Sequence, residues 1–225
     1  MYNKYAIPRQ ATSSGVGKEQ GFVVKPGRTV ANSKKLLQVA CWYSVLSKFK
    51  FVTGNPNKVR EAEEILGLTL EPAQVDGLFE IQSPDLDEVV RHKAQQAYSA
   101  LQCPVMVEDS GLVFHAWNGL PGALVKWFEE TVGCQGMLKM VKDFNDRSAT
   151  AICCFAVYDG ETMQIARGEV KGTIADSIRG KNGFGWDVIF IPEGHDRTYA
   201  EMTAQEKNAI SHRKRALDEL KHFYV

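Results

Sequence analysis

Two predicted helix starts carry cations where elementary electrostatics disfavours them. In "TGNPNK", Asn55 is a good N-cap and Pro56 a good first helical residue. Lys58 therefore falls in a turn that already presents unpaired N–H groups and partial positive charge, at a cost of roughly 0.3–1 kcal/mol. In "AISHR", Ser211 caps a helix whose next residues are His212 and Arg213. A polyphosphate would turn both defects into a site, since amides supply directional donors and the side chains neutralise charge. Solvated side chains with no ligand are the plain alternative.

Acids supply the complementary chemistry. In "VMVEDSGLVF" a buried strand runs into Glu108 and Asp109, followed by Ser110 and Gly111, which places carboxylates at a predicted strand end. Mg²⁺ is commonly held by one or two carboxylates plus phosphate oxygens, and a carboxylate can also position and deprotonate water. An ordinary acidic turn has the same composition. Glu80, in "DGLFEIQ", is a second acid beyond a strand. In "NGFGWDVIF", Phe184, Trp186 and Asp187 sit beside glycines including Gly185, so aromatic faces could sandwich a base while the backbone approaches its edge. Two core aromatics at a bend are the alternative. A strand rather than a helix follows, so this is no dinucleotide fingerprint, and no GxxxxGK[ST] loop occurs.

These groups need a scaffold, and the chain is long enough for one. Its 225 residues are 44% hydrophobic and 24% charged, as in a globular protein with a real core. No apolar run reaches the roughly 18 residues of a membrane span, and no secretory signal is evident. Five cysteines in no CxxC spacing read as reduced thiols, and the compartment as cytoplasmic.

The net charge of zero is unevenly spread. Residues 1–50 carry nine Lys or Arg and one acid, and the rest is net negative by eight. The negative folded part opposes nucleic-acid binding. Residues 1–48 are expected to be a basic extension, disordered or weakly helical, with one amphipathic helix between Ser33 and Phe49; a simple tail or mis-set start is the favoured reading, and a cleaved organellar transit peptide the alternative. A single domain is expected over 49–225.

Within that domain strands and helices alternate. A strand at Lys50–Thr53 leads to a helix at Asn55–Leu66 closed by Gly67. A helix from Asp85 to Leu101 opens on a capping box with Glu88, and the strand at 104–108 follows. A helix at Val125–Met140, strands in "ATAICCFAVY", "MQIARGEVKGTI" and "DVIFIP", and a helical C-terminus complete the set. Consecutive strands without an intervening helix predict an α/β (α+β) fold on a mixed sheet.

The ordered motifs "TGNPNK", "EDSGL", "LPG", "FGWD" and "KNAISHR" resemble the inosine triphosphate pyrophosphatases, the Ham1-like family, over residue 49 to the C-terminus. "LPGALVKWF" and "YAEMTAQEKNAISHR" look more like the eukaryotic branch. The resemblance implies an elongated mixed sheet flanked by helices, with two lobes around a central cleft, in a homodimer. It implies hydrolysis of ITP, dITP and XTP to the monophosphate and pyrophosphate with Mg²⁺, for which Mn²⁺ substitutes.

By motif position the resemblance gives Thr53, Gly54, Asn55, Pro56, Asn57 and Lys58 to the phosphates, and Lys93 and Lys126 to the triphosphate. Asp109 would be the catalytic, metal-linked carboxylate beside Ser110, and Glu80 a second metal ligand. Phe184, Gly185, Trp186 and Asp187 would hold the base, with Lys207, His212 and Arg213 completing the contacts. A non-catalytic nucleotide-binding module would keep the cations without the acids.

Overall fold

The computed structural model describes residues 42–224. Most of the helix expected between Ser33 and Phe49, and the basic arm before it, lie outside them; residues 42–46 are helical. Trp42 and Leu46, counted by composition with the extension, are buried in the hydrophobic core.

Chemistry at each end explains the first helix. Strand β1 (Lys50–Val52) ends at a turn in which the Asn55 side chain accepts the Asn57 N–H, Pro56 opens helix α1 (Pro56–Leu66), and Gly67 closes it at φ 67°. After β2 (Glu71–Ala73), helix α2 (Leu86–Leu101) is capped by Asp85. The expected capping box is not made: Asp85 accepts the Asp87 N–H instead, and Glu88 turns away to accept a hydrogen bond from the Ser83 hydroxyl at 2.7 Å.

Strand β3 corrects the sequence reading most. It runs Val105–Phe114, so Glu108 and Asp109 lie within a strand and not at its end. Strand β5 (Ser148–Tyr158) pairs with it antiparallel along its whole length, from Val105↔Tyr158 to Phe114↔Ala149. The opposite edge of β3 is shared. Parallel β1 occupies it as far as Val52↔Val107, and β4 (Pro121–Gly122) resumes it antiparallel at Leu112↔Gly122. Glu108 to Gly111 are left on a free edge between two partners.

Strand β6 (Met163–Ile174) pairs with β5, and β7 (Phe190–Pro192) with β6, which gives a seven-stranded mixed sheet in the order β2-β1-β3-β5-β6-β7 with β4 on β3. The last expected strand is shorter than read, because residues 185–188 form a 3₁₀ turn. The single helix expected at Val125–Met140 is two, α3 (Val125–Thr131) and α4 (Gly133–Met140), because Gly133 adopts φ 65° between them. At the C-terminus α5 (Ala204–Ile210) and α6 (His212–His222) meet at Ser211, whose extended backbone (φ −69°, ψ 158°) ends one helix and caps the next.

Alternation along β3 and β5 divides the core. Met106, Cys153 and Phe155 face a cluster with α1 and α6, whereas Val105, Val107 and Cys154 face α2. Beyond the free edge the same two strands carry Leu112, Phe114 and Ala149 into a third cluster with α3, α4 and the 185–190 segment. The gap in β3 pairing thus sits where three cores meet.

Candidate active site

The free edge of β3 explains how charged groups can work from inside a sheet. Between Val107 and Leu112 no strand covers that side, and the α1 start approaches it instead. Lys58 Nζ reaches Asp109 Oδ1 at 3.3 Å and Glu108 Oε2 at 3.4 Å, although successive residues of a strand point to opposite faces. The cation at the positive helix end is therefore answered by two strand carboxylates. Burial opposes its charge, but Glu108 and then Asp109 outweigh this and raise its pKa.

Two adjoining cavities open from this edge. One, of about 430 Å³, is lined by Thr53, Gly54, Pro56, Glu80 and Lys93. The other, of about 350 Å³, is lined by Asn57, Phe184, Gly185, Trp186, Asp187, Lys207, His212 and Arg213. Asn55, Lys58, Asp109, Ser110 and Lys126 belong to both. Every site residue expected from the sequence thus lines one cavity or its neighbour, and Lys58 and Arg213 share a wall.

The first cavity is built from groups that a ligand can re-pair. A β-carbon built on Gly54 meets nothing within 4 Å, so that stretch of backbone is bare to the opening. Lys93 lies within the apolar stripe of α2 and ends at Glu80, Nζ to Oε1 2.5 Å. Burial tends to raise the Glu80 pKa, and Lys93 overrides it to give a net lowering. Lys126 is largely exposed, 4.0 Å from Glu130. Asp109 Oδ1 also accepts the Ser110 N–H at 2.9 Å, which fixes its orientation. Among the described residues no three His, Cys, Asp or Glu gather with metal-holding geometry. Glu80 and Asp109 are hard oxygen donors facing one phosphate-sized space, which is the donor set Mg²⁺ takes when phosphate oxygens and water complete its shell.

The second cavity is different in kind. Arg213 is 1% exposed and is held by Glu61 at Nη1 and by Glu108 at Nη2, 3.1 Å. Lys207 is 3% exposed and contacts Asp187 at 2.5 Å and Glu61 at 2.6 Å. Burying such charges costs several kcal/mol per ion, which only this degree of pairing repays. Glu108 shows the result: burial tends to raise its pKa, yet Arg213 and Lys58 bring it down to about 2.

The expectation of two free cations at the α6 start is corrected here. Arg213 has protein carboxylates as its anions. His212 is neutral, its pKa held well below 6.5 by burial and by Arg213 and Lys207.

The aromatic sandwich also changes. Trp186 is buried, with its ring against Phe190 and His212 at 5.8 and 5.1 Å between centroids. Phe184 is half-buried, under Lys207 Nζ at 4.9 Å and Arg213 Cζ at 5.7 Å. Asp187 accepts the Phe184 N–H at 2.8 Å and so closes the turn that carries the ring.

Polar atoms left over mark this cavity. His212 Nδ1, Arg213 Nε and Glu129 Oε1 are buried without a hydrogen-bond partner, and all three residues line it. Buried polar groups are normally paired, so a cluster of unpaired ones fits a polar ligand. Glu61 and Glu129 were not expected from the sequence. Glu61 stands in "REAEE" and Glu129 in "FEE", runs that look like solvated helix faces; only the spacing of Glu61 one turn after Lys58 hinted that it faces inward.

Comparison with known proteins agrees with this geometry. The Ham1 family model matches residues 49–223. An inosine triphosphate pyrophosphatase of Scheffersomyces stipitis is 46% identical over 193 residues, which cover 80% of this chain and 99% of that protein. A dITP/XTP pyrophosphatase of Hyperthermus butylicus is 43% identical over 171 residues, 75% and 90% of the two chains. A solved HAM1 protein from Coxiella burnetii superimposes with a TM-score of 0.66 at 33% identity, covering 78% of this chain and 98% of that one. With the motifs, the fold and relatives at this identity in agreement, the chain belongs to the Ham1 family.

Proposed function

We propose that the protein hydrolyses the deaminated purine triphosphates ITP, dITP and XTP to the nucleoside monophosphate and pyrophosphate, and so removes them from the nucleotide pool. The observation that carries this reading is the gap in the β3 edge, where Lys58 and Asp109 stand at the junction of two cavities of unlike character. A triphosphate fits the side with exchangeable lysines, a base fits the side with unpaired buried polar atoms, and the α-phosphorus falls between. The names of the relatives support the same reaction.

In this reading Asp109 orients and deprotonates the attacking water, while Lys58, Lys93 and Lys126 leave their present carboxylates for the leaving pyrophosphate. Glu80 and Asp109 would hold Mg²⁺, which neutralises phosphate charge when bound; Mn²⁺ has the same preference for oxygen donors. Glu61 acts by fixing Lys207 and Arg213 and not by touching phosphate. Base choice would rest on donors that read an oxygen at the purine 6-position and meet only another donor in adenine. The test is kcat/KM for ITP, XTP, GTP and ATP with Mg²⁺, with product analysis separating pyrophosphate from orthophosphate. Strong preference for ITP and XTP is expected; equal values for all four would refute edge selection.

No described helix is long and apolar enough to cross a membrane. We place the enzyme in the cytoplasm as a homodimer, the dimer resting on family resemblance. Sedimentation of the purified chain as a monomer would refute that assembly.

A further inference from the structure

Glu129 is an acid of the base-side cavity with no ion-pair partner among the described residues, whereas Glu61, Glu108, Asp109 and Asp187 each have one. Its Oε1 is buried and unpaired. It lies against Gly185, where a built β-carbon would come within 2.6 Å of it. Glycine is favoured there by φ 59°, and a side chain would displace the carboxyl group from its present place. The turn carrying Phe184 and Trp186 is thus clasped between two acids: Asp187, held by Lys207, and Glu129.

The surroundings raise the Glu129 carboxyl into the neutral range, so that it is protonated below about pH 7. Burial first, then Asp187, push its carboxyl up to about 7; Lys58 and the Trp186 amide favour ionisation, and Glu130 on the same helix opposes it. From α4, Cys134 is itself pushed up to about 11 by burial and by Glu129, so it stays a neutral thiol. From α5 and α6, Lys207 and Arg213 face the cavity already paired, and His212 is neutral. Lys126 lines the cavity from the solvent side.

We infer that Glu129 is a specificity-determining residue, whose carboxylic acid donates its O–H to a carbonyl oxygen of the bound base. The inference rests on the proposed triphosphate reaction, since that reading puts an oxopurine in this cavity. A carboxylic acid can donate, but a carboxylate can only accept. Once ionised, Glu129 would set lone pairs against the base oxygen and leave an unpaired charge beside Asp187. The donor is present below about pH 7 and is lost as the pH rises past it.

The experiment compares kcat/KM for ITP from pH 6 to 9 in wild type, Glu129→Gln and Glu129→Leu. Glutamine keeps an N–H donor at every pH and leucine has none at any. Titration of substrate and Mg²⁺ complexes cancels in the ratio of two proteins measured together. The wild-type to Gln ratio is expected to fall by up to about tenfold per pH unit above the inflection, as the acid form disappears. The wild-type to Leu ratio should bend at the same pH, a change that a packing role would not produce.

Parallel profiles in an active wild type would overturn the role of Glu129 and leave the reaction standing. A wild type that turns over no ITP at any pH would overturn the reaction itself. If neither variant folds, calorimetry of IMP binding to wild type at pH 8, in two buffers of different ionisation enthalpy, reads the proton taken up. Uptake supports the inference, and its absence refutes it.

Discussion

The two cavities use the same residue types to opposite ends. On the phosphate side, Lys58, Lys93 and Lys126 sit at rims or junctions, paired with carboxylates that could exchange them for a ligand. On the base side, Lys207 and Arg213 are sealed inside and held by two carboxylates each. Exposure decides which role a cation can play. Lys126 is open to water, and Lys58 and Lys93, at 13% and 11% exposure, are part-buried but end at a cavity where a ligand can take over their charge. Lys207 and Arg213, at 3% and 1%, are instead sealed by their carboxylates and fix geometry. The difference separates residues expected to act on substrate from residues expected to hold the site in shape.

Variants that break the contrast follow in order of size. Asp109→Asn removes the proposed water base at the junction, and turnover of ITP should fall on the order of 10²–10⁴-fold while nucleotide binding survives. Loss of turnover and binding together would make Asp109 a binding residue only. Arg213→Ala takes one of two cations from each of the buried acids Glu61 and Glu108, leaving Lys207 and Lys58 as their remaining partners, so it should cost about 3–5 kcal/mol of stability, read as a fall in Tm. If it instead lowers activity in a fully stable protein, the base-side cations are not structural. Lys93→Ala should leave Tm nearly unchanged and raise KM for ITP about 10–100-fold, the scale of a lost charge-assisted hydrogen bond. Lys126→Ala should have the smallest effect, a few-fold in KM at low salt that fades at high salt, since the side chain is exposed.

Acid sharpens the same comparison. The Glu108 pKa is depressed from 4.5 to about 2 in the folded protein. The stability it contributes is therefore complete above about 4.5 and is lost as pH falls toward 2. Urea unfolding across this window should show the loss in wild type and less of it in Glu108→Gln, which has no carboxylate to protonate.

Much of this site could be read before the fold was known, because it depends on local rules. Asn55, Pro56 and Lys58 lie within one turn, and cap and dipole arguments apply to them directly. The halves of the buried network could not be read. Glu61 meets Arg213 across 152 positions and Glu108 meets it across 105, and nothing in "REAEE" marks one acid as buried.

The strand-end placement of Asp109 failed for a related reason. The run "VMVEDSGLVF" keeps enough apolar residues to continue as a strand, and whether an edge is free depends on where β1 stops and β4 begins. The helix split at Gly133 was within reach of a stricter rule on glycine.

The central claim is that water attacks the α-phosphorus where Lys58 and Asp109 join the two cavities. ITP turnover with Mg²⁺ in ¹⁸O-labelled water tests it most directly, with both products analysed for the label. The account predicts one ¹⁸O atom in IMP and none in the released pyrophosphate. Label in the pyrophosphate, or orthophosphate as the product, would contradict it.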